Sequence, residues 1–309
     1  MTRFHLSTGK RALRILAALT ATLALTLSAP ASLKAGQALL DQLFTAQEWQ
    51  AKGNMEAARR AVEAALKASP GDVFARIRLA QLDAVSGDTK AALATLGQAL
   101  QDDPGNLLAL LWQGHLLLAD GQSANASASY AAILKADPAS AWAHLGTAAC
   151  LLAQGRDKDA AGPLAKAQAN AGGDALLRRV LGETFLALGL PVNARLELER
   201  SLESSPRDVR ALTLAGQAYL ALGLESLAMN AWRQALALEP GADGARFALL
   251  TELGRQASMA AGQGHKDEAR RIWRTMLTYD PLEAAALNGL RSMAPASGAL
   301  PVNPRAKAP

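Results

Sequence analysis

A run of helix breakers at one fixed interval limits this chain to very few architectures. Pro70, Pro104 and Pro138 stand 34 residues apart, and Pro206 and Pro240 repeat the interval. The absent member of the series falls at position 172, where Gly172 and Gly173 supply a different breaker. Proline lacks an amide hydrogen and its ring clashes with the preceding turn, so each one stops a helix or bars it from continuing. Six breakers in one register describe a unit of structure copied along the chain. Glycine keeps the same step at Gly53, Gly87, Gly121, Gly155, Gly189 and Gly223, each between two stretches of helical spacing. A glycine there supplies the left-handed turn that folds the second helix back on the first. Two columns of small residues share the register. One is Ala58, Ala92, Ala126, Ala160, Ala194 and Ala228; the other is Ala46, Ala80, Gly114, Ala148, Gly182 and Gly216. Small side chains are needed where two helices approach closely. Between these points the apolar residues follow helical spacing, as Leu212, Ala215, Gly216 and Tyr219 do, and almost no stretch alternates with a period of two. The chain reads as all-α.

This pattern resembles the tetratricopeptide repeat family, whose units are 34 residues long and carry a W-x2-L-G-x2-Y, A-x3-F, P signature. The sixth copy carries it most fully, with Gly216, Tyr219, Ala228, Trp232 and Pro240 at the Gly, Tyr, Ala, Phe and Pro places. The third matches through Gly114, Ala126, Tyr130 and Pro138, and the fifth through Leu181, Gly182, Phe185, Ala194 and Pro206. The family's Trp place departs from the pattern and holds Gln42, Arg76, Leu110, His144, Arg178 and Leu212. The resemblance implies an all-α, right-handed superhelical solenoid of stacked helix-turn-helix repeats. Counted from the prolines, the repeats span 39–72, 73–106, 107–140, 141–174, 175–208 and 209–242. A seventh, 243–283, is anchored by Gly264, Ala269, Trp273 and Pro281. Its proline comes 41 residues after Pro240, so seven residues are inserted. Seven residues make about two helical turns and keep an apolar face aligned, so they read as a longer first helix. Residues 284–293 read as a capping helix over the last apolar face, and the Pro- and Ala-rich 294–309 as a disordered tail. The glycine pair at 172–173 raises the entropy lost on folding by about 0.5–1 kcal/mol per residue relative to alanine. The junction near 170–174 is therefore expected to open before its neighbours.

Residues 1–31 read as an export leader. Arg3, Lys10, Arg11 and Arg14 form a basic start, Ile15 to Leu27 an apolar stretch, and Ala29-Pro30-Ala31 a small-x-small cleavage site. The apolar stretch falls short of the roughly 20 residues a membrane span needs. Membrane attachment is expected only if the leader stays uncleaved. The lone cysteine, Cys150, leaves no internal disulfide, so stability must come from helix packing. Leader and Ala-rich body together suggest an exported bacterial protein of the periplasm or the periplasmic face of the inner membrane. The formal charge of +5 sits mostly in that leader: without its four basic residues, the 32 become 28, against 27 acidic ones. A near-neutral body lacks the basic face that nucleic-acid binding requires.

No catalytic constellation is legible. Residues 32–38 and 284–309 are too short to bury a core of their own. His115, His144 and His265 match no metal spacing, and Cys150 reads as a small residue packed between helices. No catalytic residue, metal or cofactor is expected. A protein partner is expected instead. In this family the first helix of each repeat lines a concave groove, and the resemblance maps three columns onto it. One holds Gln47, Gln81, His115, Ala149, Glu183 and Gln217. A second holds Leu43, Ile77, Leu111, Leu145, Arg179 and Thr213, and a third Leu40, Phe74, Leu108, Trp142, Leu176 and Arg210. The first four repeats thus offer an apolar groove suited to an apolar strand or an amphipathic helix. The Lys and Asn clamp with which some relatives hold acidic tails is absent from these columns. Self-association is the alternative to a separate partner.

Overall fold

The computed structural model describes residue 43, residues 45–50 and residues 52–293. The expected leader and tail lie outside the described residues. All regular structure described is α-helical: α1 within 43–50, α2 Met55–Ala68, α3 Val73–Val85, α4 Thr89–Asp102, α5 Leu107–Ala119, α6 Ser123–Ala136, α7 Ala141–Ala153, α8 Asp157–Asn170, α9 Ala175–Ala187, α10 Pro191–Ser204, α11 Val209–Ala221, α12 Glu225–Leu238, α13 Asp243–Gly262, α14 Lys266–Tyr279 and α15 Ala284–Ser292. The chain divides into two compact units, Met1–Ser205 with α1–α10 and Pro206–Pro309 with α11–α15. Within each, successive helices pair as hairpins and the hairpins stack.

Local chemistry sets each boundary. Gly87, Gly121, Gly155, Gly189, Gly223 and Gly264 all hold φ between +72° and +86° in the turns between paired helices, where any side chain would be strained. The amide after each glycine reaches back to a carbonyl of the first helix, as Asp88 does to Asp83 and Leu224 to Tyr219, the bonding of a Schellman turn. First helices begin three residues after the breaker, and the residue just before each start is its cap. There Asp72, Asn106, Ser140, Asp174 and Asp208 accept a first-turn amide on their side chains. Helix α13 runs 20 residues against 13 for α11, so the inserted residues lengthen a helix.

The hairpins lock by bulk against absence of bulk. Tyr130 on α6 is fully buried beneath Gly114 of α5 and Gly146 of α7. A Cβ at Gly146 would overlap the tyrosine ring, and one at Gly114 would stand 2.8 Å from it. Leu198 fills the same place against Gly182, Trp232 against Gly216, and Trp273 against Gly289. Gly146→Ala is therefore expected to lower stability by about 1–3 kcal/mol through overpacking. The loss should shrink sharply in a Tyr130→Leu background, and denaturant unfolding of the four proteins measures both. An equal loss in the two backgrounds would contradict the account.

The place of the family's tryptophan has acquired a different job. Arg76 donates to the Pro70 carbonyl at 2.6 Å, His144 Nε2 to that of Pro138 at 2.9 Å, and Arg178 Nε to that of Gly172 at 2.7 Å. Each side chain ties the new first helix to the breaker six residues earlier. Arg178 also meets Glu197, fully buried on α10, at 2.8 Å. This tie modifies the expectation for 170–174: glycine entropy acts there against an anchored guanidinium that the sequence did not reveal.

Candidate functional site

The mapped columns separate by burial. In the first unit, Leu43, Ile77, Gln81, His115, Leu145, Ala149 and Arg179 are buried, so none of them belongs to the open surface of the first helices. This corrects the mapping of those seven as open groove residues. The cause is the close approach of successive first helices: a long side chain directed toward the neighbouring repeat is covered by it. Ile77 packs with Leu96, Ala109 and Trp112, and Leu43 with Ala58, Val62 and Leu82. Phe74, Leu108, Leu111, Trp142 and Glu183 remain half-buried, and Gln47 is exposed. Phe74 and Leu108 each lean on one of these core clusters. In the second unit Arg210 is half-buried and Gln217 exposed.

Beneath the apolar strip lies a buried polar layer. His115 Nδ1 and the Tyr130 hydroxyl share a 2.6 Å hydrogen bond, and the edge of Trp142 meets the His115 ring with centroids 6.3 Å apart. Burial pushes the imidazole pKa down to about 3 and raises that of the Tyr130 hydroxyl, so both stay neutral at physiological pH. Trp142 Nε1 donates to Asp174 Oδ2 at 2.9 Å, which fixes its ring across the junction to α9. Further along, Arg78 donates to Gln81 Oε1 at 2.8 Å and to Gln50 Oε1 at 3.1 Å, linking α1 to α3.

The sequence columns stopped one repeat early. Continuing the 34-residue step from Arg210, Thr213 and Gln217 leads to Gly244, Phe247 and Thr251 on α13. A Cβ on Gly244 would rest 3.6 Å from the Thr213 methyl, and Phe247 is 75% exposed. The seventh proline is shifted by seven residues, which hid this continuation. A cleft of about 700 Å³ also lies between α8 and α10 beside Gly172 and Gly173. Its cations Arg178 and Arg200 are engaged by the buried Glu197. Among the described residues no three His, Cys, Asp or Glu side chains converge, and no helix is long and apolar enough to cross a membrane. Cys150 is buried, which raises its thiol pKa and suppresses the reactive thiolate.

Comparison with known proteins agrees with this geometry. Two tetratricopeptide repeat profiles match residues 50–111 and 111–175. A search of the curated proteins returns no match. Among solved structures, the chain is similar to PilW, a widely conserved type IV pilus biogenesis factor, at 21% identity and a TM-score of 0.55 over 70% of this chain and 100% of that one. It is similar to the C-terminal part of a repeat protein from Cytophaga hutchinsonii at 16% identity and a TM-score of 0.55, covering 80% and 99%. A thermophilic repeat protein of Thermus thermophilus aligns at 22% identity and a TM-score of 0.51, covering 60% and 98%. At these identities the likeness speaks for the fold.

Proposed function

Because the chain belongs to the tetratricopeptide repeat family, a fold that serves protein–protein interaction, we propose that it is an adaptor of the bacterial cell envelope that holds a partner segment along its first helices. The observation that carries this reading is the run of half-buried apolar residues Phe74, Leu108, Leu111 and Trp142 on three successive first helices of one unit. Contiguous apolar surface left open to water is uncommon unless it is used. Such an apolar run suits an apolar strand or one face of an amphipathic helix. Export is supported by the basic start, the apolar stretch and the small-x-small site of residues 1–31. The destination is the periplasm or the periplasmic face of the inner membrane. PilW, of the same fold, is a pilus biogenesis factor, which makes accessory work in an envelope assembly machine the fitting role. The near-neutral repeat body argues against a nucleic-acid partner. A photo-cross-linking residue placed at Leu108 should join the partner in envelope extracts, and one at Lys135, exposed on the second helix α6, should not. Cross-links confined to position 135 would sink the proposal.

A further inference from the structure

Among the described residues, Arg78 is a buried cation without an anion. Its residue is 8% exposed, and of the described groups its guanidinium meets the amide oxygens of Gln81 and Gln50 and no carboxylate. Burial alone pushes its pKa down, with no carboxylate acting in the opposite direction. The buried acid of the same helix, Asp83, comes five residues later, about 140° round the helix. It is engaged by Arg59 at 2.5 Å. Beside Arg78, Gln81 is 2% exposed, its carbonyl is taken by the guanidinium, and its Nε2 has no partner. A guanidinium taken out of water is costly unless paired, and an orphaned buried N–H adds to that cost. Two donor groups left short of acceptors at one point make a site for a negatively charged acceptor.

We propose that Arg78 and Gln81 form a carboxylate subsite within the binding face, which receives an aspartate or glutamate side chain of the bound segment. This rests on the reading of that face as the partner site. The guanidinium offers a planar fork that matches a carboxylate bidentately, and Gln81 Nε2 supplies a third donor. The site lies below the surface, so the acid must arrive on a stem. An aspartate or glutamate side chain has one, whereas a chain terminus carries its carboxylate directly on the backbone. The half-buried Gln50 covers the guanidinium and would turn aside to admit the acid. A bound segment would then place one acidic residue at α3 and apolar residues toward Leu108, Leu111 and Trp142.

Two small probes test the subsite on the full chain, apart from any protein partner. N-acetyl-glutamate α-amide carries only a side-chain carboxylate, and N-acetyl-leucine only a terminal one. The glutamate probe should shift the Arg78 Nε–Hε resonance saturably, and Arg78→Met should abolish saturable binding of that probe. Arg78→Met should also leave the thermal midpoint of the free protein unchanged or higher, since it replaces an unpaired buried charge by an apolar chain of similar length. Saturation by N-acetyl-leucine alone would overturn the side-chain assignment. Saturation by neither probe, or a midpoint that falls in Arg78→Met, would overturn the subsite and make Arg78 a structural link between α1 and α3. Cross-linking at Leu108 is independent of these outcomes, so the subsite can fail while the partner face stands.

Discussion

Arg178→Met should cost about 3–5 kcal/mol, the range for breaking a buried ion pair by removing one partner. The reason is what stays behind. Glu197 has a fully buried side chain and keeps only Gln168 at 2.9 Å and the half-exposed Arg200 at 3.4 Å. The Gly172 carbonyl loses both of its guanidinium donors. Two effects therefore coincide in one place: an under-compensated charge, and a glycine junction released from its anchor. Hydrogen exchange should show residues 170–174 opening ahead of the turns at Pro138 and Pro206 in this variant, and not in the unaltered chain. The double replacement Arg178→Met/Glu197→Met should recover most of the loss, since it removes the stranded charge. A single-variant loss below about 1 kcal/mol, the value of an exposed pair, would show that Arg200 alone satisfies Glu197.

Acid should weaken the α5–α7 region through His115. An unfolded histidine titrates near 6.5, whereas burial holds His115 at about 3 in the folded chain. Above pH 6.5 neither state carries the proton, and the folded state bears no penalty. As pH falls below 6.5 the unfolded chain binds a proton that the folded chain refuses, so stability declines by about 1.4 kcal/mol per pH unit and levels off near pH 3. Between pH 6.5 and pH 5 the loss is about 2 kcal/mol. Asp83 works in the opposite direction, because burial raises its carboxyl pKa and its protonation favours the folded state. The comparison must therefore be a difference. His115→Phe/Tyr130→Phe removes both polar partners at once and should lose this acid dependence when amide exchange is followed on α5 and α6. A double variant that keeps the slope would place the titration elsewhere.

These two devices show where sequence reasoning reaches and where it stops. The hairpins were legible because their determinants are local: a proline or glycine is a backbone constraint in itself, and its 34-residue interval needs no partner to be seen. The column Asp72, Asn106, Ser140, Asp174 and Asp208 keeps the same step, two residues after each breaker, but its capping role emerged only with the helix starts in the structure. Tyr130 and Trp232 stood in the sequence at family-signature places, and the structure shows that they, with Leu198, fill the space beside glycines. The proposed binding face was less legible. Family register says which side of a helix a residue occupies, and depth depends on how closely the next helix approaches. Ile77 and Leu111 share a column, yet Ile77 is buried while Leu111 is half-open. Charged residues were hardest to read. The Arg178–Glu197 pair spans 19 positions and two helices, and no spacing rule announces it. Trp142 joined the list as a contact residue, but its bond to Asp174 and its packing on His115 also make it a strut. Replacing it would mix lost binding with lost packing.

Leu111 carries no such tie, which makes it the better probe of the central claim that a partner lies along the first helices. The measurement is the affinity of the cross-linked partner, once purified, for Leu111→Glu beside Lys135→Ala, with circular dichroism confirming equal helix content. A carboxylate in the middle of the apolar strip should weaken binding by at least about 2 kcal/mol, the scale of an interface hot spot. The Lys135 control should leave binding unchanged. Full affinity in a folded Leu111→Glu chain, with loss in the Lys135 control, would put the working surface on the second helices and contradict the account.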